Sequence, residues 1–223
     1  MVIDVLRAST TIATALAHGA AAVRPVAGIE EARGLAAVLG AGTLLGGERG
    51  GVRIPGFDLG NSPLEYTPDR VAGKTIVITT TNGTAALHAC REAREILVGA
   101  LVNRTAVADE VRRLAGDSVP VHLVCAGTDG EITAEDVLAA GAILDAAAGS
   151  VEALDESARE AVAFFRRVAA AVDVQSGLVA EFRRSPGGSN LVDLGMEADL
   201  PVAAAIDSLA VVPRLDRASG RLI

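Results

Sequence analysis

Residues 74–87, Lys-Thr-Ile-Val-Ile-Thr-Thr-Thr-Asn-Gly-Thr-Ala-Ala-Leu, constrain the fold more than any other run of the chain. Thr75-Ile76-Val77-Ile78 is β-branched and nearly all apolar, which predicts a buried strand over 74–79. The alanine-rich run from Thr84 predicts a helix that continues to Arg94. Between them lies a turn of threonines, an asparagine and a glycine. A buried strand that passes directly into a helix is half of a β-α-β unit, and such units imply parallel strands joined by right-handed crossovers. Ligands in such folds bind at the carboxyl ends of the strands. A turn of hydroxyls, an amide and a glycine ahead of a helix start suits an oxyanion such as phosphate.

The same rhythm runs through the chain. Strands are predicted at 2–6, 23–26, 43–45, 96–99 and 121–125. Helices are predicted at 11–17, 29–39, 105–114, 134–148, 155–172 and 174–184. A turn is expected at 185–190, a short helix at 202–206, and edge strands at 209–212 and 220–223. The rhythm breaks over 46–63, a glycine-rich loop of a kind that is usually functional or disordered. No repeat, low-complexity tract or linker interrupts the chain, so one domain over residues 1–223 is the economical reading. The first residues already read as a core strand, so either a segment precedes it or the strand has no lead-in. The predicted fold class is α/β, a layered α/β/α arrangement around a mostly parallel or mixed central sheet.

Composition narrows the function. Half of the 223 residues are hydrophobic, yet only 2% are aromatic and none is Trp. The core is therefore built from Ala, Val, Leu and Ile, as in layered α/β proteins. The net charge of -8 argues against nucleic acid as a partner. No run approaches the roughly 20 apolar residues of a membrane span, so no membrane partner is expected. Cys90 and Cys125 form no disulfide framework or metal-ligand spacing, which makes the cytoplasm the default location. The alanine-rich helices are compatible with a homodimer interface and equally with a monomer core.

Each polar loop has a chemical reading and a structural one. Asp4 is costly to bury unless paired or ligating. It either ion-pairs with Arg7, or ligates a metal or orients Arg7 while Arg7 grips an anion bidentately. Ser9 and Thr10 read as helix caps. Gly46-Gly47-Glu48-Arg49-Gly50-Gly51 can bring Glu48 and Arg49 over a small ligand, or form a mobile surface loop. Asn61 and Ser62 contact substrate or cap a helix starting at Pro63. Thr79, Thr80, Thr81, Asn82, Gly83 and Thr84 supply more hydroxyls and amides than a plain strand-to-helix turn needs. Thr133 with Asp136 resembles a capping box, the alternative being an Asp136 carboxylate directed into the site. Glu135 reads as solvent-facing. Cys125 reads as a small buried thiol rather than a nucleophile. His18, His88 and His122 adjoin none of these loops, so proton transfer falls to carboxylates, a hydroxyl or metal-bound water.

Taken in order, Asp4-Val5-Leu6-Arg7-Ala8-Ser9-Thr10-Thr11-Ile12, Gly47-Glu48-Arg49-Gly50-Gly51, Phe57-Asp58-Leu59-Gly60-Asn61-Ser62-Pro63, Thr79-Thr80-Thr81-Asn82-Gly83-Thr84 and Cys125-Ala126-Gly127, with a later Glu-Asp, form a series of motifs. This series resembles the 2-phosphosulfolactate phosphatase family over nearly the whole chain. Members typically carry a further strand-bearing segment before the first motif. The resemblance implies a Mg2+-dependent hydrolysis of (2R)-2-phospho-3-sulfolactate to 3-sulfolactate and phosphate, a step of coenzyme M synthesis, with related 2-phospho-hydroxy acids as further substrates. It implies catalytic roles for Asp4, Arg7 and Glu48. Substrate contacts would come from Arg49, Gly50, Asn61, Ser62, Thr80, Thr81, Asn82 and Gly83, and a Mg2+ site from a subset of Asp4, Glu48 and Asp136. Water activated by the metal is the expected nucleophile, with a phospho-enzyme on a carboxylate or threonine as the alternative route. The alternative from another class is a non-catalytic protein that binds phosphate or another small anion. The geometric expectation is that Asn82 and Gly83 lie beside Asp4, Arg7 and Glu48.

Overall fold

The computed structural model describes residues 1–148, 154–170 and 172–223, so position 171 of the helix expected over 155–172 lies outside the described residues. In chain order the first elements are β1 (Val2–Ile3), α1 (Ala8–Ala17), β2 (Ala22–Pro25), α2 (Ile29–Leu39), β3 (Thr43–Arg49) and β4 (Val52–Arg53). Next come α3 (Pro68–Val71), β5 (Thr75–Thr79), α4 (Gly83–Ala89), β6 (Val98–Gly99), α5 (Arg104–Gly116), β7 (Val124–Cys125) and α6 (Ala134–Ala147). The chain ends with α7 (Glu156–Ala169), α8 (Val174–Arg184), α9 (Pro186–Asp193), α10 (Asp199–Ala203), β8 (Leu215–Asp216) and β9 (Arg221–Leu222).

The strands form one α/β domain but divide between two sheets. One is short and wholly parallel, in the order β6-β1-β7; the other runs β4-β3-β5-β2-β9-β8. In the larger sheet β2 and β3 flank β5 in parallel, as its β-branched run requires of a central strand. Antiparallel β4, β8 and β9 complete its edges. Even two-residue β1 shows the alternation of a strand. Val2 faces a core shared with Val23, Ile76, Ile78 and Val98, while Ile3 faces a helical core with Leu138, Ile143, Phe165 and Phe182. Helix α6 is the centre of that second core and packs against α5, α7 and α8. Among the described residues no helix is long and apolar enough to cross a membrane.

Several sequence expectations change here. The first strand stops at Ile3 because Asp4 turns its carboxylate back to the Ala8 amide, 3.1 Å away, and starts α1 three residues early. Ser9 and Thr10 are thus inside the helix and are not its caps. Their hydroxyls hold the bend instead, Ser9 accepting from the Asp4 amide and Thr10 donating to the Val5 carbonyl. The 46–63 loop is partly a hairpin. β3 continues to Arg49 and returns as β4 through Gly50 and Gly51, whose φ values of 59° and 87° are what a two-residue turn between twisted strands demands.

The expected turn at 185–190 is the start of α9. Ser185 accepts the Gly188 amide at 3.1 Å and Pro186 takes the first helical position, where its missing N–H costs nothing. The helix expected over 202–206 begins earlier, at Asp199. α4 ends at Ala89 rather than Arg94, and only Val124 and Cys125 of 121–125 are strand. Residues 209–212 form no strand; the terminal pair is β8 with β9, and β9 closes the sheet against β2.

Candidate active site

Loops from five parts of the chain meet at the carboxyl ends of β1, β3, β5 and β7. The bend after β1 carries Asp4 and Arg7, and the β3–β4 hairpin carries Glu48 and Arg49. The turn after β5 carries residues 80–83, and the loop after β7 leads to Glu135 and Asp136 at the start of α6. The α9–α10 region forms the remaining wall.

Two contacts fix this convergence. Glu48 accepts the Thr81 backbone N–H at 2.8 Å through one oxygen, and the Gly51 N–H at 2.7 Å and Thr81 hydroxyl at 3.3 Å through the other. Asp4 lies against Gly83 so closely that a Cβ there would sit 2.6 Å from Oδ2 and 2.6 Å from the Ala8 Cβ. Of the expected neighbours, Gly83 thus lies beside Asp4, and Thr81 rather than Asn82 or Gly83 meets Glu48, while Arg7 makes no hydrogen bond to the turn among the described residues.

Arg7 does not form the ion pair with Asp4 that its sequence position suggested. Its buried guanidinium pairs with Asp199, not Asp4: Nη1 lies 2.8 Å from Oδ2 of Asp199, and Nη2 donates to the Gly51 carbonyl at 2.6 Å. Ser62 donates to the other Asp199 oxygen at 2.5 Å, so its hydroxyl does not cap the short helical turn that starts at Pro63. Asn61 is buried, its carboxamide oxygen has no donor among the described residues, and it caps nothing. Arg49 is half-buried beside Thr79, donating to its hydroxyl at 3.0 Å and to the Glu48 carbonyl at 2.6 Å. Gly50 is exposed at the hairpin turn.

The abundance of threonines has a structural explanation. Thr80 accepts the Thr84 amide at 3.1 Å and Thr84 donates its hydroxyl back to the Thr80 carbonyl, a reciprocal clasp at the start of α4. Thr79 donates to the Ala27 carbonyl, and Thr81 donates to Glu48. The hydroxyls of Thr79, Thr81 and Thr84 donate within the protein, and that of Thr80 accepts the Thr84 amide. The backbone N–H groups of Asn82 and Gly83 have no acceptor among the described residues, and they are what this turn offers an anion.

Asp136 does not complete a capping box. Its two oxygens accept the Val5 amide at 2.8 Å and the Gly127 amide at 2.9 Å, which ties β1 to the loop after β7. Thr133 opens α6 without capping it, and its buried hydroxyl has no partner among the described residues. Glu135, read from the sequence as solvent-facing, is only 2% exposed. One of its carboxylate oxygens, Oε2, has no partner among the described residues, and the other lies where a Cβ on Gly187 of α9 would be 3.0 Å away. The misreading has a plain cause: α6 is buried nearly all round between α5, α7 and α8, so the usual polar face of a first turn has no solvent to meet.

Buried carboxylates in one place raise each other's proton affinity. Burial pushes the Asp4 carboxyl up to about 7, with Glu48 and Glu135 adding to the rise and the Ala8 amide and Arg7 opposing it. Burial likewise holds Asp136 well above the usual carboxylate range, reinforced by Asp4 and Glu135. Cys125 is pushed up to about 12, by burial first and then by Asp136 and Glu135, which leaves a thiol with no nucleophilic anion near neutral pH. Such a cluster has the donor chemistry of a divalent-cation site: hard oxygens in excess of local positive charge. Among the described residues no three His, Cys, Asp or Glu side chains are gathered closely enough to enclose an ion by themselves. A cavity of about 1030 Å3 opens among α5, α6, α7 and residues 118–123; Cys125 lines it, but Asp4, Glu48, Glu135 and Asp136 do not.

Comparison with known proteins bears on the same chain. The family model described as 2-phosphosulpholactate phosphatase matches residues 1–218. A Carboxydothermus hydrogenoformans protein named "Probable 2-phosphosulfolactate phosphatase" is 42% identical over 223 residues, covering 100% of this chain and 88% of its own length. A protein of the same name from Synechococcus sp. strain JA-2-3B'a(2-13) is 44% identical over 216 residues, covering 95% of this chain and 86% of its own. Another, from Deinococcus radiodurans, is 42% identical over 219 residues, covering 96% and 86%.

Proposed function

The chain belongs to the 2-phosphosulpholactate phosphatase family, and on that premise we propose that it is a phosphoric monoester hydrolase converting (2R)-2-phospho-3-sulfolactate and water to 3-sulfolactate and phosphate. The observation that carries the reading is the meeting of the 81–83 turn with Asp4 and Glu48, where unoccupied backbone donors border clustered carboxylates. A phosphate ester needs donors that orient its oxygens and positive charge that offsets them, and carboxylates serve the second need by holding a cation.

Mg2+ is the cation that fits this donor set. It takes one or two carboxylates and completes its shell with waters and substrate phosphate, so a closed protein cage is not required. Asp4 Oδ2 and Glu135 Oε2 have no hydrogen-bond donor among the described residues and would hold it. The oxygens of Glu48 and Asp136 are taken by amides, so these two carboxylates fix the loops around the ion. When bound, the cation supplies charge neutralisation at the transferring phosphoryl group.

The protein's own groups do the rest. The Asn82 and Gly83 amides orient phosphoryl oxygens, and Arg7 and Arg49 bring positive charge to the anionic substrate. The Asn61 carboxamide, whose oxygen is buried without a partner among the described residues, meets the substrate's polar edge. The Thr80 hydroxyl, assigned from the sequence to substrate, holds the start of α4 in shape. Together these groups align the ester for in-line attack by water. The reading carries with it a place in coenzyme M synthesis, and a soluble, multiply anionic substrate and two free cysteines suit a cytoplasmic enzyme.

Phosphate release from 2-phospho-3-sulfolactate and from 2-phospholactate, each with Mg2+ and with a chelator, tests the proposal. Hydrolysis that needs Mg2+ and favours the sulfonated ester is expected. Saturable phosphate binding without turnover of either ester would replace the enzyme reading with a phosphate-binding one.

A further inference from the structure

The pair formed by Arg7 and Asp199 joins residues 192 positions apart, with both side chains almost fully buried. We propose that Asp199 is a positioning residue for catalysis, holding Arg7 in the one orientation in which its spare donors face the substrate. This inference rests on the reading of Arg7 as a substrate contact.

A count of donors supports it. The Arg7 guanidinium has five N–H groups. Nη1 has Asp199 Oδ2 at 2.8 Å and Met196 Sδ at 3.1 Å, and Nη2 has the Gly51 carbonyl at 2.6 Å. Nε–H and one N–H of Nη2 have no acceptor among the described residues and are left for an anion. A long arginine side chain carries considerable rotamer freedom, and binding through two donors is productive only if that freedom has already been removed. Asp199 removes it.

Both oxygens of Asp199 are already engaged inside the protein, one by Arg7 and the other by the Ser62 hydroxyl at 2.5 Å. Nor does it serve its own helix: it sits in the first turn of α10, but α10 has no side-chain cap. Its carboxylate is spent wholly on Arg7 and on the loop that carries Asn61. Through these bonds Arg7 also fastens the Gly51 end of the hairpin, two residues from Arg49. One buried acid thereby sets the relative positions of three substrate-facing segments.

The test is a double-mutant cycle on the full chain. Arg7→Ala, Asp199→Ala and Asp199→Asn are compared with the double Arg7→Ala/Asp199→Ala variant. Steady-state hydrolysis, calorimetric binding of inorganic phosphate and of 3-sulfolactate, and thermal melting are read for each. Asp199→Asn keeps an acceptor for Arg7 and a donor for Ser62 but loses the charge. It is expected to melt near the parent and to lose about tenfold in kcat/KM, chiefly through KM. Asp199→Ala should lose more, and the double variant should be no worse than Arg7→Ala alone, since a positioning residue has nothing to position once Arg7 is gone.

Losses that add in the double variant, or an unchanged KM in Asp199→Asn, would overturn the proposal and leave the pair a purely structural one. If Asp199→Ala fails to fold, Ser62→Ala takes its place in the cycle with the same criterion. If the parent chain hydrolyses neither ester, the proposed function fails while the binding arm still decides this inference. Whichever product Arg7→Ala weakens, Asp199→Asn must weaken too, and an Arg7→Ala variant that binds both products like the parent refutes it.

Discussion

Glu48 accepts the backbone N–H of Thr81 at 2.8 Å and the Thr81 hydroxyl at 3.3 Å, and these bonds join the β3–β4 hairpin to the turn after β5. The hairpin supplies charge and the turn supplies neutral donors. Neither is a phosphate site alone, and the carboxylate that joins them accepts the Gly51 N–H as well, fixing the hairpin's own turn.

Replacing Glu48 by Gln therefore disturbs both loops. The carboxylate serves three donors, and a carboxamide has one acceptor oxygen, so one buried N–H is left facing an amide NH2. A loss of about 1–3 kcal/mol in stability is expected from such an orphaned donor, read as a lower urea midpoint at unchanged slope. Activity should fall with it. An unchanged midpoint would mean that Glu48 does not hold the hairpin to the turn.

Gly83→Ala probes the closest approach in the site. The new methyl would meet Asp4 Oδ2 and the Ala8 Cβ at 2.6 Å, and both lie in a bend tied down by Ser9 and Thr10. Displacing Asp4 by a few tenths of an ångström should cost about tenfold or more in kcat/KM. Gly116→Ala, at the end of α5 with open space around it, is the control and should leave activity unchanged. Equal kinetics in the two variants would place Asp4 outside the reacting centre.

The pH dependence of stability follows from Asp4. Its carboxyl titrates near 7 in the fold against an ordinary value of 3.8. The folded chain thus binds more protons than the unfolded chain between these values, and stability falls as pH rises through that window. Asp4→Asn mimics the protonated form. With a chelator present, the advantage of the variant over the parent should be small near pH 3.5 and should grow as pH rises to 8. Saturating Mg2+ should raise the parent's melting temperature at pH 8 and not the variant's. A difference between parent and variant that does not change with pH would show that Asp4 is not held in its neutral form.

Cys125 should be inert in the native chain. With its thiol pushed up to about 12, it is not a thiolate at pH 8 and should resist iodoacetamide until the protein is unfolded, and Cys125→Ser should retain activity. Rapid native alkylation read by mass spectrometry, or loss of turnover in the serine variant, would restore it as a candidate nucleophile.

The parts of this site that were legible in the sequence are those whose signal is local. The 74–87 run declares its strand and turn through β-branching followed by hydroxyls and glycine, and Asp4, Glu48 and Gly83 lie at strand ends where such folds gather ligands. The hidden parts depend on distant partners. Asp199 means little until Arg7 is beside it, and Glu135 reads as a solvated residue until α6 is surrounded by three helices. The α9 start at Ser185-Pro186-Gly187-Gly188 looks like a turn by composition, yet serine followed by proline is also a helix-start signature, and the apolar contacts of Leu191 decide for the helix. The threonines misled in the opposite direction: their number suggested phosphate ligands, but each hydroxyl already has a protein partner.

The most direct test of the account is steady-state phosphate release from (2R)-2-phospho-3-sulfolactate by the purified chain and by its Asp4→Asn and Glu135→Gln variants, with Mg2+ titrated into each. Mg2+-dependent turnover by the parent is expected. Both folded variants should lose at least about a hundredfold in kcat, a loss on the order of 3 kcal/mol in transition-state stabilisation, and should bind Mg2+ more weakly. Parent-like turnover in either variant, or hydrolysis indifferent to Mg2+, would contradict it.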